Sequence, residues 1–175
     1  GRPMRKLFFR TPVEFSRISS GFSKHRWHPV LKRWRAHKGV DYAAPTGTPV
    51  MATGDGEVLF RGWKKGYGRV VYLRHGRTYQ TVYGHLARFA NGLHDGDYVK
   101  QGQVIGYVGQ SGMATGPHLH YEFHVAGKQR NPLAVKAPIG DPLAKEEMRR
   151  FRNVVAPLLA RLDAAGDGTL LADAR

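Results

Sequence analysis

The chain has 175 residues, 41% of them hydrophobic, and no cysteine. That length suits one domain with a real core; the missing thiols exclude disulfides and thiolate metal sites, and no run of about 18 apolar residues is present to span a membrane. Lys and Arg number 28 against 13 Asp and Glu, a net charge of +15, so the surface favours a polyanion: nucleic acid, anionic lipid or an acidic envelope polymer.

The first residue is glycine, and no charged, apolar, small-residue leader follows. The chain therefore reads as a processed or excised piece whose targeting signal is not legible. Residues 1–15 are basic and irregular, and are expected to form a leader or strap. From 16 to 138 the pattern is short apolar runs cut by glycine: "GEVLFRGW", "GRVVYLRHG", "TYQTVYGHL", "GQVIGYVGQSG" and "HLHYEFHV". Val, Tyr, Phe and Thr in runs of four to eight mark strands, and the glycines supply the positive φ angles of tight turns. The spacing predicts an all-β-rich domain of short antiparallel strands closed into a compact barrel or sandwich. Within it, "HDGDYVKQGQVIGYVGQSG" carries turn signals at Asp95-Gly96 and Gln101-Gly102 and is expected to fold back as a hairpin.

After Pro138 the chain changes character. Asp141 suits an N-cap and Pro142 a first helical position. Phe151, Val154, Val155, Leu158, Leu159 and Leu162 recur at helical spacing. Residues 139–165 are expected to form an amphipathic C-terminal helix, kinked or divided at Pro157, with its stripe docked on the parent domain or kept for a partner. Residues 166–175 are expected to fray.

The histidines carry the chemistry. In a strand, residues two apart share a face. "HLHYEFH" therefore puts His118, His120, Glu122 and His124 on one side and Leu119, Tyr121 and Phe123 on the other. Taken alone, the His-x-His pair fits a polar strand face as well as a metal site. "HKGVD" adds His37 and Asp41, an imidazole and a carboxylate that a strand or turn must bring together. Three such ligands with a water make a catalytic zinc site. "VYGHL" places His85 at the end of an apolar run, where by itself it reads as a satisfied core histidine.

Taken together, "HKGVDYAAPTGTPVMATGDGEV", then "GHL", then "VKQGQVIGYVGQSGMATGPHLHYEF" strongly resemble the lysostaphin/LytM-type zinc endopeptidases of bacterial cell walls. The resemblance runs from about Ser19 to Leu133. The opening "ISSGFSKHRWHPV" and the terminal helix look most like the Gram-negative murein endopeptidases that cut D-alanyl–diaminopimelate crosslinks. The resemblance implies one zinc held by His37, Asp41 and His120, with His85 and His118 as the catalytic pair. It implies crosslinked stem peptides of peptidoglycan as the partner and the periplasm or cell envelope as the location. Regulatory or autoinhibitory N-terminal modules beyond this chain belong to the same expectation.

The chemistry agrees. Bound zinc lowers the pKa of water toward ~7 and polarises a carbonyl. Histidine, with a pKa near ~6.5, serves as base and acid near neutrality. No HExxH is present, so no glutamate base of the thermolysin kind is available. Glu122 is expected either to orient a ligand or to be a surface carboxylate. One departure concerns the stretch "KHRWHPVLKRWRAH", which lacks the tyrosine some Gram-positive members carry upstream of the first zinc histidine; Arg26 or His28 is the substitute for contact with substrate. His25, His75, His94 and His124 match no family position and are left as surface or structural. The groove is expected to be lined by "HDGDYVKQGQVIG", "RWHPVLKRW" and "GWKKGYG", with Trp27, Trp34, Trp63 and Tyr67 as lining or structural aromatics. Two other readings compete. A non-catalytic LytM-type module that binds the wall or activates other hydrolases would not need the full residue set present here. A nucleic-acid binder rests on charge alone, without a basic recognition helix or zinc-finger spacing.

Overall fold

The computed structural model describes residues 7–9, 11–14, 17–28, 33–135, 149–159 and 161, without the side chains at 24, 26–28, 33 and 35. Twelve strands follow one another: β1 (Arg17–Ser20), β2 (Ser23–His28), β3 (Arg33–His37), β4 (Val40–Ala43), β5 (Pro49–Met51), β6 (Gly56–Lys64), β7 (Gly68–His75), β8 (Tyr79–Phe89), β9 (Tyr98–Val99), β10 (Val104–Val108), β11 (His118–Val125) and β12 (Lys128–Arg130). The apolar runs of the sequence became strands as expected. The main sheet is antiparallel in the order β1-β4-β11-β8-β7-β6-β9, with β10 bridging β5 and β8, and β12 on β11. Strands β2 and β3 form a separate ribbon.

Alternation decides what each face of the sheet holds. Leu119, Tyr121 and Phe123 of β11 join Val40 and Tyr42 of β4, Val71 and Leu73 of β7, and Tyr83 of β8 in one core. Burying such side chains is worth roughly 1.5–3 kcal/mol each relative to exposure. The buried hydroxyls of Tyr83 and Tyr121 both meet Thr53 Oγ1 at 3.0 Å, which removes the cost of hiding them unpaired. The core also takes in Phe8 and Val13, 5% and 2% exposed. Phe8 packs edge-on against Phe123 and His75. The packed body accordingly spans Leu7–Pro138, and part of the expected leader is one of its anchors.

The expected hairpin at 94–106 did not form. Both turns are present, at 95–96 and 101–102. However, β9 pairs with Gly56–Glu57 of β6, while β10 pairs with β5 and β8. A two-residue strand offers few ladder bonds of its own, and each segment finds a longer partner elsewhere.

In the C-terminal unit, residues 149–159 are helical, and the helix continues through Pro157 rather than dividing there. Phe151, Val154, Leu158 and Leu159 are exposed. The proposed cap at Asp141 and Pro142, and the tail at 166–175, lie outside the described residues. No helix among the described residues is long and apolar enough to cross a membrane.

Candidate metal centre and groove

Strand pairing assembles the centre. Asp41 of β4 lies directly opposite His120 of β11. His37 closes β3, and a bend at Gly39 returns the chain into β4. Gly39 has no alternative there: a Cβ would stand 2.6 Å from His120 Cε1 and 2.7 Å from the Tyr121 carbonyl oxygen. On the other flank of β11, His120 faces Gly84 of β8. The Tyr67 ring fills part of the space a side chain would need, with Tyr67 Cδ1 3.2 Å from a Cβ built on Gly84.

The tautomers follow from the partners. His37 Nδ1 donates to the Gly21 carbonyl at 2.7 Å; a carbonyl only accepts, so Nε2 carries the lone pair. His120 Nε2 donates to Glu122 Oε1 at 3.0 Å, which leaves Nδ1 as its lone pair. Asp41 Oδ1 lies 3.0 Å from His37 Nε2 and 2.8 Å from His120 Nδ1, and the two nitrogens are 3.2 Å apart. Three buried electron-pair donors thus converge, all within 4.8 Å of one another. Such a cluster calls for a cation at its centre, and two imidazoles with a carboxylate are a donor set suited to zinc. A proton on His120 Nδ1, shared with Asp41, can meet the same demand. Burial pushes the His120 imidazolium down, yet hydrogen bonds to Asp41 and Glu122 outweigh it and raise the pKa to about 9. Burial would raise Asp41, but hydrogen bonds to His120 and His37 hold it well below the usual carboxylate range.

Behind the cluster, Glu122 is 3% exposed and is not the surface carboxylate that was one of its two expected readings. Besides His120 it accepts from Tyr67 Oη at 2.8 Å and from His124 Nε2 at 2.6 Å. Those bonds overcome the upward push of burial and keep it ionised. A carboxylate so held fixes the ring orientation and tautomer of the imidazole in front of it. His124, left unassigned from sequence, is therefore tied to the centre through Glu122; the period-2 pattern had already placed it on this face. His75 is buried and bonded to Asp55 and Thr81. His25 and His94 are exposed.

His85 is positioned differently. The β7–β8 register slips by one residue between Arg69↔Leu86 and Val71↔Tyr83, a bulge that takes in Gly84 and His85. At the same point β8 leaves β11 and continues against β10. His85 adopts a φ of 62°, a left-handed conformation that costs a non-glycine residue on the order of 1–3 kcal/mol and persists only when its surroundings impose it. Two bonds do so: His85 N donates to the Tyr67 carbonyl and Nδ1 to the Ser111 carbonyl, both at 2.7 Å. Ser111 in turn accepts from Arg69 N at 2.9 Å and donates from Oγ to the Leu86 carbonyl at 2.7 Å. No motif in the sequence marks Ser111 as the holder of His85. His118 is anchored in the same manner, Nδ1 donating to the Gly116 carbonyl at 2.8 Å. The His85 and His118 rings lie 4.7 Å apart, and His118 Nε2 is 3.9 Å from Asp41 Oδ1. Burial drives the His85 pKa down to about 4, and the neighbouring imidazoles add to the shift.

A groove of about 920 Å³ runs over all five residues, within the usual size for a ligand cleft. Lys65, Gly66 and Tyr67 of the β6–β7 turn line it, with Met113 and Thr115 ahead of β11. The expected "GWKKGYG" wall is thus present, whereas residues 94–106 contribute nothing to the lining. Strand β9 docks at the Gly56 end of β6, roughly 25 Å from the Lys64 end at about 3.3 Å per residue. Trp34 and Trp63 are 61% and 62% exposed and are not lining residues; Trp34 stacks on His25. The side chains of Arg26, Trp27 and His28, and residues 29–32, lie outside the described part.

The sequence model of peptidase family M23 matches residues 35–132, the stretch that carries all five residues. The chain belongs to peptidase family M23. It is 46% identical over 151 residues to the peptidoglycan DD-endopeptidase ShyC of Vibrio cholerae, covering 86% of this chain and 34% of that protein. It is 48% identical over 154 residues to the DD-carboxypeptidase/endopeptidase Mpg of Neisseria meningitidis, covering 86% and 35%. The chain thus spans about a third of the length of these relatives. Among solved structures, a zinc-containing peptidase from Vibrio cholerae superposes with a TM-score of 0.70 at 38% identity, covering 77% of this chain and 41% of that one. The catalytic domain of lysostaphin from Staphylococcus simulans superposes at 0.60 and 30% identity, covering 67% and 90%. The fold class expected from sequence is therefore met, and so is the expected membership of a peptidase family.

Proposed function

We propose that this M23 chain is a zinc-dependent endopeptidase that hydrolyses the D-alanyl–diaminopimelate crosslinks of peptidoglycan in the periplasm. The observation that carries the reading is the convergence, in one groove, of three metal-type donors with two histidines whose Nδ1 protons are committed to carbonyls. The named activities of the relatives support the substrate.

His37 Nε2, Asp41 Oδ1 and His120 Nδ1 would hold the zinc. When bound, zinc acidifies water and polarises a carbonyl. The chain's own residues handle the protons. Because Nδ1 of His85 is held by Ser111, only Nε2 can take up a proton, and burial keeps that ring neutral at pH 7. His118 presents Nε2 to the same groove for the same structural reason. Between them the pair removes a proton from the attacking water and returns one to the departing amine. Glu122, with Tyr67 and His124 bonded to it, keeps His120 oriented. The β6–β7 turn and the Met113–Thr115 segment confine the peptide over the centre.

The test is digestion of purified crosslinked muropeptides with and without chelator, read by mass spectrometry beside metal analysis. One zinc per chain and chelator-sensitive cleavage at the D-alanyl–diaminopimelate bond are expected. A protein that takes up no zinc on reconstitution, or cuts equally well in chelator, would overturn the reading.

A further inference from the structure

The groove carries charge that the chemistry at its centre does not use. Its carboxylates, Asp41 and Glu122, are both turned to imidazoles. Its lysines, Lys38 and Lys65, are both exposed, and neither joins an ion pair with another described residue. In strand order they flank β11: Lys38 precedes β4 and Lys65 lies between β6 and β7. A peptide drawn along β11 therefore passes two unneutralised ammonium groups and no available carboxylate.

A second cavity, of about 240 Å³, adjoins the groove and shares Ala36, Lys38 and Gln129 with it. Phe22 forms part of its wall and packs against the core from the other side. Lys38 stands where the two cavities meet, and it directly follows His37 in the chain, one Cα step of about 3.8 Å. A wall of Phe22 and Ala36, completed by the polar Ser23 and Gln129 and with one cation at its mouth beside the candidate metal centre, suits a short aliphatic chain that bears a carboxylate.

We infer that this side cavity is a carboxylate-reading subsite, in which Lys38 pairs with the carboxylate nearest the scissile bond while the alkyl chain lies on Phe22; Lys65 attracts further substrate carboxylates across the groove. The inference rests on the endopeptidase reading and sharpens it. In a D-alanyl–diaminopimelate crosslink, the carbon bonded to the scissile nitrogen bears both a free carboxylate and a methylene chain, the two features the cavity matches. The enzyme is thereby set to prefer crosslinks whose diaminopimelate carboxylate is free over those in which it is a carboxamide.

The experiment compares two purified muropeptide dimers, alike except that this carboxylate is free or amidated. Wild-type enzyme should lose on the order of 10-fold in kcat/KM on the amide, mostly in KM, as fits loss of a charge-assisted contact. Lys38→Ala should cleave both dimers at the lower level with full zinc content, and Lys38→Arg should recover part of the preference. Lys65→Ala should raise KM for both dimers alike and weaken its salt dependence. Equal cleavage of the two dimers by the wild type, or a preference that survives Lys38→Ala, would overturn the subsite while leaving the endopeptidase reading intact. Cleavage of neither dimer by zinc-loaded wild type would overturn both.

Discussion

The two halves of the centre are held by different physics. His37, Asp41 and His120 stand on or at the ends of β3, β4 and β11, and the β4–β11 ladder sets Asp41 opposite His120. The His120 ring is oriented by a buried carboxylate, Glu122, that gathers three donors, and the His37 ring by the Gly21 carbonyl. His85 and His118 owe their aim to carbonyls of the 109–116 segment, and His85 also to a bulge and a positive φ. A metal needs fixed lone pairs, and a regular sheet supplies them at little conformational cost. A proton carrier must present one free nitrogen over the groove; a departure from ladder geometry provides that for His85, and the start of β11 provides it for His118. The metal half should therefore fail by losing its ion, and the other half by losing rate alone.

The largest effect expected is that of His120→Ala or Asp41→Ala: zinc content and muropeptide cleavage should both fall to background. Next come His85→Ala and His118→Ala. Zinc should remain bound, while the cleavage rate drops on the order of 100-fold or more, the usual weight of positioned acid–base groups. Zinc loss in either variant would erase the proposed division, and near-wild-type rates would make the pair structural.

Smaller effects probe the supports. Glu122→Gln keeps the shape but weakens the charge behind His120, so zinc affinity should fall about 10- to 100-fold, the range for such supporting groups. Gly39→Ala should do the same by steric pressure on the His120 ring. Competition with a graded series of chelators reads both. Ser111→Ala removes the hydroxyl that ties Arg69 N to the Leu86 carbonyl but retains the carbonyl that holds His85. A rate loss of less than about 10-fold is expected, with zinc affinity unaltered; a zinc defect there would show that the two halves are not separately supported.

His75 provides the control, a buried histidine with a structural role only. Burial lowers its pKa below the ordinary value of about 6.5, against the pull of Asp55. The unfolded chain then binds the proton more readily, so the contribution of His75 to stability is full above pH ~6.5 and declines as pH falls below it. The difference in melting temperature between wild type and His75→Gln should shrink across that window. A difference constant with pH would mean that His75 binds its proton equally well in the folded and unfolded states.

Much of this was legible in local pattern. Period-2 alternation in "HLHYEFH" separates core from groove by itself, because facing in a strand is decided by adjacent residues. The same alternation put Glu122 and His124 beside His120, although only the fold decided that Glu122 is sealed from water and bonded to both. The five candidate residues came from motif spacing and resemblance, and the sheet gathers them. What local pattern could not supply is partner choice. His85 and Ser111 are 26 residues apart and His37 and His120 are 83 apart, and nothing near either residue names the other. The turns at 95–96 and 101–102 were read correctly, yet their strands paired elsewhere, since turn chemistry bends a chain without choosing its neighbour. Phe8 looked like part of an irregular leader because Phe8, Phe9 and Phe15 follow no strand or helix period in that basic stretch; only the assembled sheet, where Phe8 packs edge-on against Phe123 and His75, decided that it belongs to the core.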